Sequence, residues 1–136
     1  MKERIVSIFK ESIKVKEEIY KKQSEVISLI ASLIIRSLKK GGKVILFGNG
    51  GSAADSQHIA GELIGRFKKE RAALPAVALT TDTSIITSIA NDYGFECIFA
   101  RQIEGLGKRG DVAIGISTSG NAQNVIAGIK QAKKMG

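Results

Sequence analysis

From Glu3 to Lys40 the apolar positions recur with a helical period. Ile5, Phe9 and Ile13 stand one turn apart with Ile8 beside them, and Val26, Ile27, Ile30, Leu33 and Ile34 continue the stripe. Ser24 is placed to cap a second helix, and Gly41-Gly42 ends it. The pattern predicts two long helices, or one bent helix, ahead of the rest of the fold. A helical lead over 1–40 is more than one small sheet needs for cover. It therefore predicts helix packing between subunits.

Beyond Gly42 the texture changes. Lys43–Phe47 is a short apolar run bounded by glycines, which reads as a buried strand. A helix is expected from Ser52 to Lys69, and a second strand over Pro75–Leu79. A short helix from Ile85 to Ala90 and another from Glu96 to Leu106 follow. Asp111–Ile116 reads as a third strand and Asn121–Lys134 as the last helix. Strands alternating with helices over 43–136 predict βα units, a parallel sheet and helices on both of its faces. The fold class is therefore α/β, a three-layer αβα sandwich led by long N-terminal helices, as one domain over 1–136. Ligands of such sheets bind at the carboxyl ends of the strands.

Composition narrows the setting. Hydrophobic residues make up 43% of the chain and charged residues 25%, the balance of an ordinary globular protein. No apolar run is long enough to predict a membrane span. The opening Met-Lys-Glu-Arg lacks the apolar run of a secretory signal, and Cys97 is the only cysteine, so a cytoplasmic location is expected. The net charge of +8 fits anionic ligands, but the lysines are spread along the helices as solvated faces. With aromatics at 5% and no tryptophan, there is little to stack bases, and no nucleic-acid partner is expected.

Candidate chemistry lies just past the strand ends. Gly48-Asn49-Gly50-Gly51-Ser52 runs from a strand into a helix start, and Ser52 and Asp55 have the spacing of a capping box. Glycines allow close backbone approach, and a helix N-terminus offers free amides to an anion. No Gly-Lys-Ser/Thr follows, which excludes a P-loop. Gly48, Gly50 and Ala53 satisfy a loose dinucleotide fingerprint, but Glu70 precedes the next strand and Asp82 lies too far on to serve as its acidic residue. The second segment, Ser117-Thr118-Ser119-Gly120-Asn121, puts three hydroxyls in a row before a helix, a cradle suited to phosphate. Between the two loops, Asp55, His58, Glu62 and Arg66 fall on one helical stripe. His58, the only histidine, and Glu62 are one turn apart, a spacing that suits shared metal binding or proton transfer, and equally a solvated face.

Taken in order, Gly48–Ser52, Gln57-His58, Glu62, Gly65-Arg66, Ala90–Phe95 and Gly115–Asn121 resemble the phosphoheptose isomerase family, within the sugar isomerase (SIS) superfamily of flavodoxin-like folds. The resemblance implies an aldose–ketose isomerase. It would interconvert sedoheptulose 7-phosphate and glycero-manno-heptose 7-phosphate, towards the heptose of lipopolysaccharide. It implies that Asn49, Gly50, Gly51 and Ser52 contact the sugar. Asn91 and Asp92 would do so from the loop after the second strand, and Ser117, Thr118 and Ser119 would hold the phosphate. It implies zinc as cofactor with His58 and Glu62 among its ligands, Glu62 as general base, and a homotetramer whose site is built at subunit contacts.

Two departures from the family pattern stand out. Ala122 occupies a position where the family usually has serine. Family members also continue beyond the position of Gly136. Their added strand, loop and helix bring the glutamine and histidine that complete the metal site. The resemblance thus implies that residues 1–136 carry part of the site and are impaired in catalysis on their own. A different reading is a binding module, since the superfamily includes a relative that associates with the bacterial replication initiator. That relative lacks the catalytic glutamate, so Glu62 separates the two. A sugar-phosphate sensor using the same loops without chemistry is the third reading.

Overall fold

A computed structural model describes residues 1–136. The chain divides into two compact units, Met1–Ile35 and Arg36–Gly136. The first is almost wholly one helix. α1 runs unbroken over Lys2–Lys39, so the two-helix expectation fails. No Gly or Pro interrupts those residues, and the Ser24 hydroxyl donates back to the Tyr20 carbonyl one turn earlier rather than capping a new helix. The side chains of Ile5, Phe9, Ile13, Val26, Ile27, Ile30 and Leu33 are exposed.

In the second unit, strands alternate with helices. β1 spans Val44–Gly48, α2 Gly51–Ile64, β2 Ala76–Ala78 and α3 Thr83–Tyr93. A 3-10 turn over Phe95–Cys97 leads into α4, Ile98–Leu106; β3, Val112–Ile116, and α5, Gln123–Met135, follow. The expected α/β class with a parallel sheet is the one observed: β1 lies between β2 and β3 and pairs with both in parallel. Val44, Ile45, Leu46 and Phe47 are all fully buried, as a central strand covered on both faces requires. Ile45 and Phe47 point into a cluster with Phe99, Ile98 and Ile103 of α4 and Val125 of α5. The Phe47 and Phe99 rings tilt against each other at 5.2 Å between centroids.

Several boundaries differ from the sequence expectation. α2 ends at Ile64, five residues short of Lys69. The Gly65 amide closes onto the Gly61 carbonyl, and the Arg71 guanidinium then caps the end, donating to the carbonyls of Glu62 and Leu63 at 2.8 Å each. α3 extends three residues past Ala90, to Tyr93. Its N-cap is Asp82, whose carboxylate accepts from the Ile85 amide at 2.9 Å.

Because β1 and β3 pair through their final residues, Gly48 is the register partner of Ile116. The two loops that follow these strands therefore start side by side. At the opposite end the Asp111 carboxylate accepts from the Lys43 amide at 2.9 Å, from the Lys43 ammonium at 2.5 Å and from the Lys108 amide at 2.8 Å. That cluster pins β1 to β3 where the strands begin.

Candidate active site

Gly48 closes β1 with no room for a side chain. A Cβ there would sit 2.7 Å from the Ile116 carbonyl oxygen and 2.8 Å from Ser52 Cβ. Gly50, at φ 55°, takes the left-handed turn into α2 and is its N-cap, with no side chain bonding the first amides. The capping box expected of Ser52 and Asp55 does not form. Ser52 lies one residue inside the helix and is buried, and its carbonyl accepts from the Ser56 hydroxyl at 2.8 Å. α2 thus opens without a side-chain cap: the Ser52 and Ala53 amides turn back to the Asn49 and Gly50 carbonyls at 3.0 Å each.

The second loop has the same character. Gly120 N–H donates to Ser117 Oγ at 3.1 Å and Asn121 N–H to Ser119 Oγ at 3.2 Å. Each of these hydroxyls accepts from the backbone; the two oxygens stand 3.5 Å apart, so one O–H can bond the other and the second can donate to a ligand. α5 is capped by Ala122, which has no side-chain acceptor, and starts at Gln123, two residues later than the expected Asn121. Asn49, Ser52, Ser117, Thr118 and Ser119 line one cavity of about 190 Å³ with Ala122. Gly50 and Gly51 are exposed in the turn beside it.

The other expected residues lie elsewhere. His58 and Glu62 line a separate cavity of about 580 Å³, walled by Ile59, Leu63 and Phe67 and rimmed by Arg66 and Arg71. Arg66 reaches it from the turn after α2, not from the helical stripe, because the helix has ended two residues before. Asn91 and Asp92 are not on a loop: they occupy the last turn of α3, exposed, with Asn91 Nδ2 donating to Asp92 Oδ1 at 2.8 Å, and they line neither cavity. The separation follows from topology. α2 starts at the carboxyl end of β1 and runs back along the sheet. Eleven residues of helix separate Glu62 from Gly51, about 16 Å along the axis at 1.5 Å per residue.

His58 Nε2 and Glu62 Oε1 are 3.9 Å apart, with side chains 75% and 39% exposed. Two such donors on one helical face suit zinc. Nowhere in the chain do three histidine, cysteine, aspartate or glutamate side chains gather to hold an ion. A catalytic zinc takes three protein ligands, so these two residues do not close such a site by themselves.

One residue of this region carries no sequence signal. Asn124, in the first turn of α5, is 3% exposed and exchanges two hydrogen bonds of 2.9 Å with the side chain of Asn49. Its partner is 75 positions away in the chain.

The SIS domain family model matches residues 8–136. The chain is 60% identical to the phosphoheptose isomerase of Aquifex aeolicus over 136 residues, all of this chain and 71% of that protein. It is 53% identical to that of Clostridium acetobutylicum over 138 aligned positions, 100% of this chain and 70% of the relative. The solved phosphoheptose isomerase of Neisseria gonorrhoeae superposes with a TM-score of 0.91 at 48% identity, covering 98% of this chain and 70% of that one. That of Francisella tularensis gives 0.93 at 38% identity with the same coverage. The chain therefore belongs to the SIS domain family and, within it, to the phosphoheptose isomerases.

Proposed function

We propose that this protein interconverts sedoheptulose 7-phosphate and D-glycero-D-manno-heptose 7-phosphate, in the cytoplasm, as a step towards heptose-containing lipopolysaccharide. The observation that carries the reading is the pairing of Gly48 with Ile116. It sets the glycine turn and the three-hydroxyl loop side by side against one cavity. Ser117, Thr118 and Ser119 hold the phosphate, which supplies binding energy away from the reacting carbons. Asn49, Gly50, Gly51 and Ser52 orient the sugar, and Asn91 and Asp92 bind it from the end of α3.

Moving an aldose carbonyl to the neighbouring carbon removes a proton from one carbon and returns it to the next through an enediol. A carboxylate near those carbons serves as general base. Glu62 is assigned that role. Its distance along α2 from the cradle of its own chain exceeds the reach of a seven-carbon sugar phosphate. The base that serves one cradle is therefore Glu62 of another copy, which supports a homo-oligomer, a tetramer by family resemblance. The exposed apolar positions of α1 support the same assembly.

Zinc is the proposed cofactor, with His58 and Glu62 as two ligands and the further donors coming from outside residues 1–136. Zinc titration by calorimetry checks this: binding that weakens at least about ten-fold in His58→Ala is expected, and equal binding by the variant would remove His58 from the ligand set.

The activity is tested by following sedoheptulose 7-phosphate by NMR in deuterated water. Aldose product carrying deuterium at carbon 2 is expected, with the rate falling at least ~10³-fold in Glu62→Gln. Binding of the sugar phosphate with neither product nor exchange would favour the sensor reading.

A further inference from the structure

The Gly48–Gly51 turn is held inside its own loop by local bonds: Ser52 N–H to the Asn49 carbonyl and Ala53 N–H to the Gly50 carbonyl, both 3.0 Å, and Ala54 N–H to the Gly50 carbonyl at 3.3 Å. What ties it sideways to the next loop is the amide pair. Asn49 Nδ2 donates to Asn124 Oδ1 and Asn124 Nδ2 donates to Asn49 Oδ1, each at 2.9 Å. Two antiparallel bonds between planar groups fix rotation as well as distance, which a single bond does not. The pair is half-buried: Asn124 is 3% exposed and holds the amide of Asn49, which stands at the surface. Asn124 is also the second residue of α5, whose start directly follows the Ser117–Asn121 loop. It does not itself line the cavity; it reaches the lining through Asn49.

We propose that Asn124 is a positioning residue for the isomerisation. Through Asn49 it locks the glycine turn at one spacing from the phosphate cradle, so that a sugar anchored by its phosphate presents its reacting end in one orientation. The inference rests on the reading of these two loops as the sugar-phosphate site. It has a chemical corollary. Asn49 spends one amide hydrogen and one oxygen lone pair on Asn124, which leaves one of each for the sugar.

The test compares the wild-type chain with Asn124→Ala and Asn124→Asp. The aspartate keeps the shape and the acceptors but cannot donate, so one of the two bonds is lost. In both variants kcat/KM for sedoheptulose 7-phosphate is expected to fall, about 10-fold or more in the alanine variant. Most of the loss should lie in kcat, and the Kd for inorganic phosphate should change less than about two-fold, since Ser117–Ser119 are untouched. In the ligand-free variants the Gly50 and Gly51 amide hydrogens are expected to exchange at least about ten-fold faster, with strand β1 unchanged. Unchanged exchange at Gly50 and Gly51 would overturn the proposal. So would faster exchange spread through Ile45 and Leu46 with a matching loss of phosphate binding, which is the signature of a packing role. If the wild-type chain binds sedoheptulose 7-phosphate without turnover, the exchange pattern in the free protein alone decides for or against the lock.

Discussion

Asp111 shows how a single side chain holds the frame beneath the site. Burial pushes its carboxyl pKa up. The hydrogen bonds from the Lys43 ammonium and from the Lys43 and Lys108 amides, with the Lys43 charge, outweigh that and hold it below the ordinary carboxylate value. A carboxylate whose pKa is lower folded than unfolded adds stability above the unfolded value, near pH 4, and loses it as the pH falls through the folded value. Acid melts are therefore expected to show wild-type stability dropping below about pH 4, and Asp111→Asn to lack that component of the drop. At neutral pH the same variant should unfold about 2 kcal/mol more easily in denaturant, because the Lys43 ammonium, 24% exposed, loses its charged partner. An Asn variant as stable as wild type at pH 7 would show that the cluster contributes nothing. None of this was legible from the sequence, where Lys43 and Asp111 are 68 positions apart and each looks like a residue flanking a strand. Asn124 escaped notice for the same reason, whereas Ser117, Thr118 and Ser119 were legible because three consecutive hydroxyls before a helix are a local signal.

The elements were read well where short-range chemistry sets them. Each strand is an apolar run bounded by turn residues, and the alternation with helices gave the parallel sheet. The errors fall at helix ends and interiors. Ser24 has the chemistry of a cap, but inside α1 its hydroxyl finds the Tyr20 carbonyl and the helix runs on. The charged run Arg66–Arg71 continues a helical spacing past Gly65, yet α2 has already stopped there. What ends it is tertiary: the Arg71 guanidinium returns from beyond the turn to take the Glu62 and Leu63 carbonyls, and donates to Ala72 O at 3.0 Å. Cationic groups at a helix C-terminus also complement its dipole. Arg71→Ala is expected to cost about 1–3 kcal/mol and to fray the last turn of α2, displacing Glu62. Thermal melts and the amide exchange of Glu62 to Ile64 check this; unchanged exchange there would mean that Gly65 alone suffices as the stop. No helix in the chain is long and apolar enough to cross a membrane.

At the scale of the whole molecule, the proposed chemistry is divided between copies. One cavity holds the phosphate cradle and another, at the far side of α2, holds the glutamate. Such a division makes a mixing experiment decisive. Glu62→Gln and Ser117→Ala/Thr118→Ala subunits, each inactive alone, are expected to regain measurable turnover when unfolded together and refolded as mixed oligomers. Failure to recover any activity, with mixed assembly shown by mass, would place both parts in one subunit. The sequence could supply both half-sites but not their separation, because spacing along a helix says which face a residue occupies and not how far the sheet end lies from it.

The pairing of β1 with β3 down to Gly48 and Ile116 carries one more consequence. Neighbouring strands stand about 4.8 Å apart, so the backbone itself gauges the gap between sugar loop and phosphate loop. Swapping loop side chains then tunes how tightly a given sugar phosphate is gripped. A one-residue insertion in β3 acts differently: it moves one jaw of the gauge by about 3.3 Å and changes which length of sugar can be gripped at all.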